Sequence, residues 1–328
     1  MKKMVQRVLF AALTAGISMG NAGQAAADSP VAEVGTGYVV ADAETAVIDE
    51  EEVPLYMKPL VGYVRTPQAS NAVIYSNSRV TIDASNTDQG YVMVKYNGGA
   101  GKIKVQLIKN NLVYTYDLNA RDAYEVFPFS EGDGVYTLKV YEHVSGNQYA
   151  QAFSQTLSVT MPDPFAPFLT PNQYVNFRDG SAAVQAGTDA AAGAQDQISV
   201  VTNIYNYVIS NISYDLEKAA TVQSGYLPDV DQVLASKKGI CFDYAALMTT
   251  MLRSQDIPTK LVIGYTGGLY HAWINVYLES VGWIDSCIYF DGHSWSLMDP
   301  TFASSGGNSE NIRQYIGNNA NYQAKYSY

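Results

Sequence analysis

At 328 residues, with 47 % apolar and 12 % aromatic residues, the chain has enough material for two folded domains, each with its own core. That composition excludes a wholly disordered chain. The net charge of −11, with no basic run after residue 10, excludes non-specific binding to nucleic acid, which runs on clustered Lys and Arg.

The first 27 residues have the pattern of a secretory signal peptide. Lys2, Lys3 and Arg7 supply a positive start, Val8 to Met19 an apolar stretch, and Ala25-Ala26-Ala27 a small-residue cleavage site. The apolar stretch is shorter than the roughly 20 residues needed to span a bilayer. No later segment resembles a transmembrane helix, so a soluble, secreted or extracellular chain is expected, with a bacterial cell surface as one destination. Residues 28 to 57 hold eight acids and no Lys or Arg, with an unbroken run from Asp49 to Glu52, and predict a poorly ordered tether. Within it Tyr38-Val39-Val40 is too short to count as a strand.

From about Val61 to Met161 the pattern turns to short alternating runs. Val92, Val94 and Tyr96 share one face, as do Ile103, Val105 and Leu107, and then Tyr136, Leu138 and Val140. Between them stand turn formers: Asn97-Gly98-Gly99, Asn110-Asn111, Gly132-Asp133-Gly134 and Ser145-Gly146-Asn147. This spacing predicts an all-β, immunoglobulin-like sandwich. His143, beside the last of these turns, reads as a surface residue without chemistry.

Pro162-Asp163-Pro164 breaks the pattern, and the segment up to about Gly187 reads as a connector, so the two flanking regions are expected to fold separately. Val201, Ile204, Tyr205, Val208, Ile209 and Ile212 then recur at helical spacing. A second helix begins near Cys241, carried by Ala245, Met248 and Leu252, and strands follow, which predicts an α+β domain. The expected organisation is a signal peptide over 1–27, a tether over 28–59, a sandwich over 60–161, a connector over 162–188 and a catalytic domain over 189–328.

The chain has two cysteines, Cys241 and Cys287, and an oxidising compartment admits a disulfide between them. Gly239 allows a tight turn before Cys241, which puts this thiol at a helix start, where unpaired N–H groups and the macrodipole favour a thiolate. A small buried apolar residue fits the local sequence equally well. On a strand, His271 shares a face with Trp273, Asn275 and Tyr277, the more polar face. Asp299 ends a short run from Trp295 that Pro300 terminates. A cysteine nucleophile needs a base, and the base needs an acceptor to orient it; Cys, His and Asp in this order meet both needs.

Each of the three lies in a longer motif. Gly239-Ile240-Cys241-Phe242-Asp243-Tyr244-Ala245, followed by Leu252-Arg253, Ile257-Pro258 and Gly264-Tyr265, resembles the nucleophile segment of the transglutaminase-like superfamily. His271-Ala272-Trp273 with Val276-Tyr277 is similar to its histidine strand, and Trp295 to Thr301 to its aspartate strand. The resemblance covers about residues 190 to 302. It implies a papain-like fold with Cys241 as nucleophile, His271 as general base and acid, and Asp299 as the residue that orients His271. It also implies acyl transfer on protein or peptide amides, cell-envelope substrates among them, either to an amine or to water. A departure is the stretch Gly282 to Ser294, which creates two Trp motifs and makes Asp285 a rival acid. Asp299 is preferred because it stands four positions after Trp295 and precedes Pro-Thr, whereas four after Trp283 is Cys287. Trp283 to Asp299 reads as an inserted hairpin turning at Asp291-Gly292, with His293 in the turn. No cofactor and no metal are expected, since no Cys or His pair has zinc-ligand spacing and no calcium loop is present. The competing reading is a non-catalytic extracellular binding or scaffold protein whose sandwich serves adhesion.

Overall fold

The computed structural model describes residues 62–279, 282–285, 288–290, 295–297 and 322–328, with the segments 288–290 and 295–297 described by their backbone. The leader, the tether, Cys287, His293 and Asp299 lie outside the described residues.

The N-terminal region contains two antiparallel sheets. One has the order β1-β2-β3-β6, from Ile74–Ser76, Val80–Asp83, Tyr91–Tyr96 and Tyr124–Pro128. The other has the order β5-β4-β7-β8, from Leu112–Asp117, Ile103–Lys109, Gly134–Ser145 and Gln148–Val159. The alternation expected from the sequence is what builds their common core: Val92, Val94, Tyr96, Ile103, Val105, Leu107, Tyr136, Leu138 and Val140 are all buried. The four turn-forming stretches fall between consecutive strands, at β3–β4, β4–β5, β6–β7 and β7–β8. His143 lies near the β7–β8 turn, its Nε2 2.9 Å from the carbonyl of Gly146.

The C-terminal half begins with helices. Helix α1, Ala182–Ala191, forms partly within the expected connector, where its small residues Ala183, Gly187 and Ala191 face the core. Helix α2, Gln197–Asn211, buries Val201, Ile204, Tyr205 and Val208 as their spacing requires, and Asp196 caps it by accepting the Ser199 N–H at 2.7 Å. Strand β9, Ser213–Tyr214, pairs in parallel with β10, Lys238–Gly239, and the short helices α3, Leu216–Thr221, and α4, Val230–Ser236, lie between them. Helix α5, Cys241–Arg253, is the centre of this half, with every residue but Phe242 buried. A helix enclosed all round is a core element, and α5 packs on α1, α2, α4 and the sheet.

That sheet has the order β13-β12-β11-β16, from Gly282–Ile284, Leu269–Leu278, Thr259–Thr266 and Tyr322–Ser327, all antiparallel neighbours. Its register shifts between Ile263 and Gly264, where β16 crosses closely over β11. Gly264 is required there: a Cβ would collide with the Gln323 carbonyl and stand 2.7 Å from Trp273 Cη2. Trp283 pairs with Tyr277 and so continues this sheet, in contrast to the expected hairpin running from Trp283. The separate hairpin is shorter, β14 (Ile288–Phe290) against β15 (Trp295–Leu297). Among the described residues no helix is long and apolar enough to cross a membrane.

The two halves are joined by aromatic rings. Tyr114 of β5 meets Tyr326 at 5.1 Å and Tyr328 at 5.5 Å, and Tyr116 meets Tyr174 and Tyr328, each at 5.8 Å. The Tyr114 hydroxyl also accepts the Ser327 N–H at 3.2 Å. On another side, Arg65 donates to Asp163 and Asp256, both at 3.1 Å. Aromatic pairs contribute about 0.5–1.5 kcal/mol each beyond their buried area. Several together approach the roughly 5–15 kcal/mol that stabilises a whole domain. The C-terminal fragment, expected from the composition break to fold separately, would be without these contacts. Residues 163–328 expressed alone are expected to lack a cooperative urea transition, and a sharp two-state transition for that fragment would show the tyrosine contacts to be dispensable.

Candidate active site

Cys241 is the first residue of α5, as its sequence context requires. Its thiol is free and 5 % exposed. The chain enters the helix from β10 through Gly239 and Ile240. Gly239 is needed because a Cβ at that position would stand 2.6 Å from the Asp243 Cβ. Asp243 folds back beneath this turn, and its Oδ2 accepts the Ile240 N–H at 2.8 Å. The helix start that holds Cys241 is thus closed by a carboxylate two residues further on.

His271 lies near the start of β12, opposite Gly264 of β11. Helix α5 packs across both strands, and Tyr270, the residue before His271, lies within electrostatic range of Cys241. Burial first, then the neighbouring tyrosines and Cys241, push the Tyr270 hydroxyl above its ordinary value. The structure therefore brings the nucleophile candidate and the start of the histidine strand to one end of the α5–sheet interface. The face of β12 expected to be the more polar one is itself covered: His271 is 1 % and Trp273 2 % exposed. Trp273 packs edge-on against Tyr322 of β16 at 5.2 Å.

Asp285 follows β13 and accepts a hydrogen bond from Asn275 Nδ2 at 2.7 Å. Asn275 is four residues along the strand from His271, about 13 Å at the usual strand rise. Asp285 is exposed and lies level with Asn275 in the sheet. Beside it, Lys260 Nζ lies 4.0 Å from the Trp283 ring and 4.8 Å from the Phe168 ring, and burial lowers its ammonium from the usual lysine value.

An aromatic wall surrounds the Cys241 turn. Tyr174 packs on Phe242 at 5.6 Å and stacks on Tyr328 at 4.1 Å, and burial pushes its hydroxyl up to about 12. Tyr226 meets Phe242 edge-on at 6.3 Å, and Tyr265 meets Tyr270 at 5.4 Å. The sequence holds 26 tyrosines, and nothing in its periodicity assigns these rings to the site. Lys218 and Tyr226 were likewise not singled out from the sequence, although both contact Asp243. Among the described residues no group of three or more His, Cys, Asp or Glu side chains is placed to hold a metal ion.

Residues 185–286 match the sequence model of the Transglutaminase-like superfamily. Over 104 residues the chain is 31 % identical to the uncharacterized protein YebA of Bacillus subtilis, covering 26 % of this chain and 14 % of that protein. Over 108 residues it is 30 % identical to a protein-glutamine gamma-glutamyltransferase of Pseudomonas aeruginosa, covering 28 % of this chain and 16 % of that protein. The chain spans less than a third of the length of the curated relatives it matches. Among solved structures, the periplasmic domain of TgpA from Pseudomonas aeruginosa aligns over 74 % of this chain and 98 % of that domain, at 16 % identity and a TM-score of 0.34. Residues 185–286, with their helix-on-sheet core and buried cysteine, are thus similar to the Transglutaminase-like superfamily.

Proposed function

We propose that this chain is an exported thiol acyl-transfer enzyme that acts on protein or peptide amides through Cys241, His271 and Asp299. The observation that carries the reading is a free, buried thiol at the first position of α5, inside a transglutaminase-like domain, with the histidine strand at the same end of the helix. In the proposed cycle His271 takes the Cys241 proton and the thiolate attacks the amide carbonyl carbon. The backbone N–H of Cys241, unpaired by the helix itself at this position, is one donor to the resulting oxyanion. Collapse breaks the C–N bond, His271 returns the proton to the departing amine, and a thioester remains. An incoming amine or water then loses its proton to His271, attacks the thioester and releases Cys241. Asp299 holds His271 in the tautomer that both proton transfers need.

The name of the Pseudomonas aeruginosa relative favours an amine as acceptor and a glutamine side chain as donor. The leader points to export, and the two N-terminal sheets, read as an immunoglobulin-like sandwich, then accompany the enzyme to cell-envelope substrates. The test is to incubate the protein with a fluorescent primary amine and a glutamine-rich protein, beside a proteolysis assay. Labelling or cleavage is expected, and Cys241→Ala should reduce it by about 10³-fold or more, as removal of other nucleophiles does. Equal activity in Cys241→Ala would overturn the reading.

A further inference from the structure

Asp243 presents an electrostatic problem. It is fully buried, 0 % exposed, and lies in the first turn of α5, two residues from Cys241. A buried carboxylate there opposes a second negative charge on the neighbouring sulfur, because like charges close together disfavour one another's ionised form. An uncompensated Asp243 would therefore cancel part of what the helix start offers a thiolate.

The chain compensates it with two side chains from outside the helix. Lys218 of α3 reaches Oδ2 with its ammonium at 2.7 Å, beside the Ile240 N–H already bound to that oxygen. Tyr226, from the loop before α4, donates its hydroxyl to Oδ1 at 2.5 Å. The two partners also hold each other: Lys218 Nζ lies 2.5 Å from the Tyr226 hydroxyl and 4.3 Å from the centre of its ring. Lys218 is itself fixed in position, since its backbone N–H binds the capping carboxylate of Asp215 at 2.9 Å. Both oxygens of Asp243 are thereby occupied, and its charge is matched by one cation.

We propose that Lys218 and Tyr226 are positioning residues for the nucleophile, which neutralise Asp243 so that the turn carrying Cys241 bears no net negative charge. This rests on the reading of Cys241 as nucleophile. The helix cap needs the carboxylate, the thiolate is disfavoured by it, and Lys218 reconciles the two. Other ionisable groups stand around this turn, among them Tyr174, packed on Phe242, with Tyr328 stacked on it, and Tyr265 against Tyr270. Asp229, the cap of α4, acts on Tyr226; Asp215 lies beside Lys218; Tyr270 of β12 acts on Cys241, with His271 next to it; and Lys237 and Lys238 flank the approach on β10. None of these replaces Lys218 on Asp243.

The experiment follows alkylation of Cys241 by iodoacetamide across pH, read by mass spectrometry on full-length protein, with far-UV circular dichroism to confirm folding. It needs no amide substrate. Lys218→Met is expected to move the alkylation midpoint upward by about one pH unit, slowing labelling near neutrality about tenfold. Lys218→Arg, which keeps the charge, should stay within about threefold of wild type. Adding Asp243→Asn to Lys218→Met should bring the midpoint back, since both charges are then gone. If Lys218→Met does not fold, Tyr226→Phe carries the test, with an expected slowing of about threefold. A folded Lys218→Met, or failing that a folded Tyr226→Phe, with the wild-type profile overturns the proposal. Wild-type Cys241 that resists alkylation at every pH removes the nucleophile reading and this inference with it. A reactive wild type with an unaltered variant removes only the latter.

Discussion

Asp299→Ala is expected to lower turnover by about 10⁴-fold while leaving the circular dichroism spectrum unchanged. That is the cost of losing an orienting carboxylate in other triads, where the base then samples the wrong tautomer. The variant that gives this result meaning is Asp285→Ala, for which a change of no more than about fivefold is expected. Asp285 is exposed and bonded to Asn275, four residues from His271 along β12. Trp283 pairs with Tyr277 inside the main sheet, so the acid that follows it lies level with Asn275 rather than with His271. Initial rates of amine incorporation would be compared for both variants and wild type. A dead Asp285→Ala beside a nearly normal Asp299→Ala would reverse the assignment.

Arg253→Met should cost about 3 kcal/mol or more of folding stability, seen as a lower urea midpoint with an unchanged slope. Arg253 ends α5 and is 1 % exposed, and its described hydrogen bonds all go to main-chain oxygens. Its guanidinium donates Nε and Nη2 to Thr259 at 3.0 and 2.8 Å, Nη1 to Thr170 at 2.7 Å, and Nη2 to the main-chain oxygen of Tyr328 at 2.7 Å. Burial lowers its affinity for the proton, and these carbonyl dipoles oppose that loss. In the Met variant Thr170 and Thr259 lose these donors, at about 1–3 kcal/mol for each buried group left unsatisfied. Tyr328 keeps the Leu261 N–H at 3.0 Å and is less affected. Lysine has no planar fork to span three carbonyls, so Arg253→Lys should recover only part of the loss. A drop below about 1 kcal/mol in Arg253→Met would show that these bonds carry little net stability.

Much of the fold was legible because each signal was local. The strands around Val92, Ile103 and Leu138 alternate with period two, and α2 and α5 repeat Val201 to Val208 and Ala245 to Leu252 at helical spacing. Cys241 could be placed at a helix start because Gly239 precedes it and an apolar helical stripe follows. Helix α1 was harder to read, because its alanines and Gly187 carry little periodic contrast, although small residues are what let it approach α5. The burial of His271 and Trp273 was not legible, since alternation names the two faces of β12 but not what covers them. Lys218 and Tyr226 were invisible for the same reason: their partner is 25 and 17 residues away, across a turn and another helix. A partial signal did exist in Asp215, whose capping position three residues before Lys218 fixes where that lysine begins.

The tyrosine seam between the halves also bears on how the chain acquires its structure. Tyr114 and the Ser327 N–H it binds are separated by 213 residues. Contacts of such long sequence separation are the slow ones to form, because a long loop must close before they return any stabilisation. During vectorial synthesis, strand β5 can pair within its own sheet well before β16 has emerged. Until then Tyr114 and Tyr116 have no lid, and the sheet that carries His271 lacks its β16 edge. The thiol of Cys241 is made before β16, but the Tyr174 ring beside it gains its Tyr328 partner only when that end of the chain arrives, so completion of this site is timed by residues downstream of it.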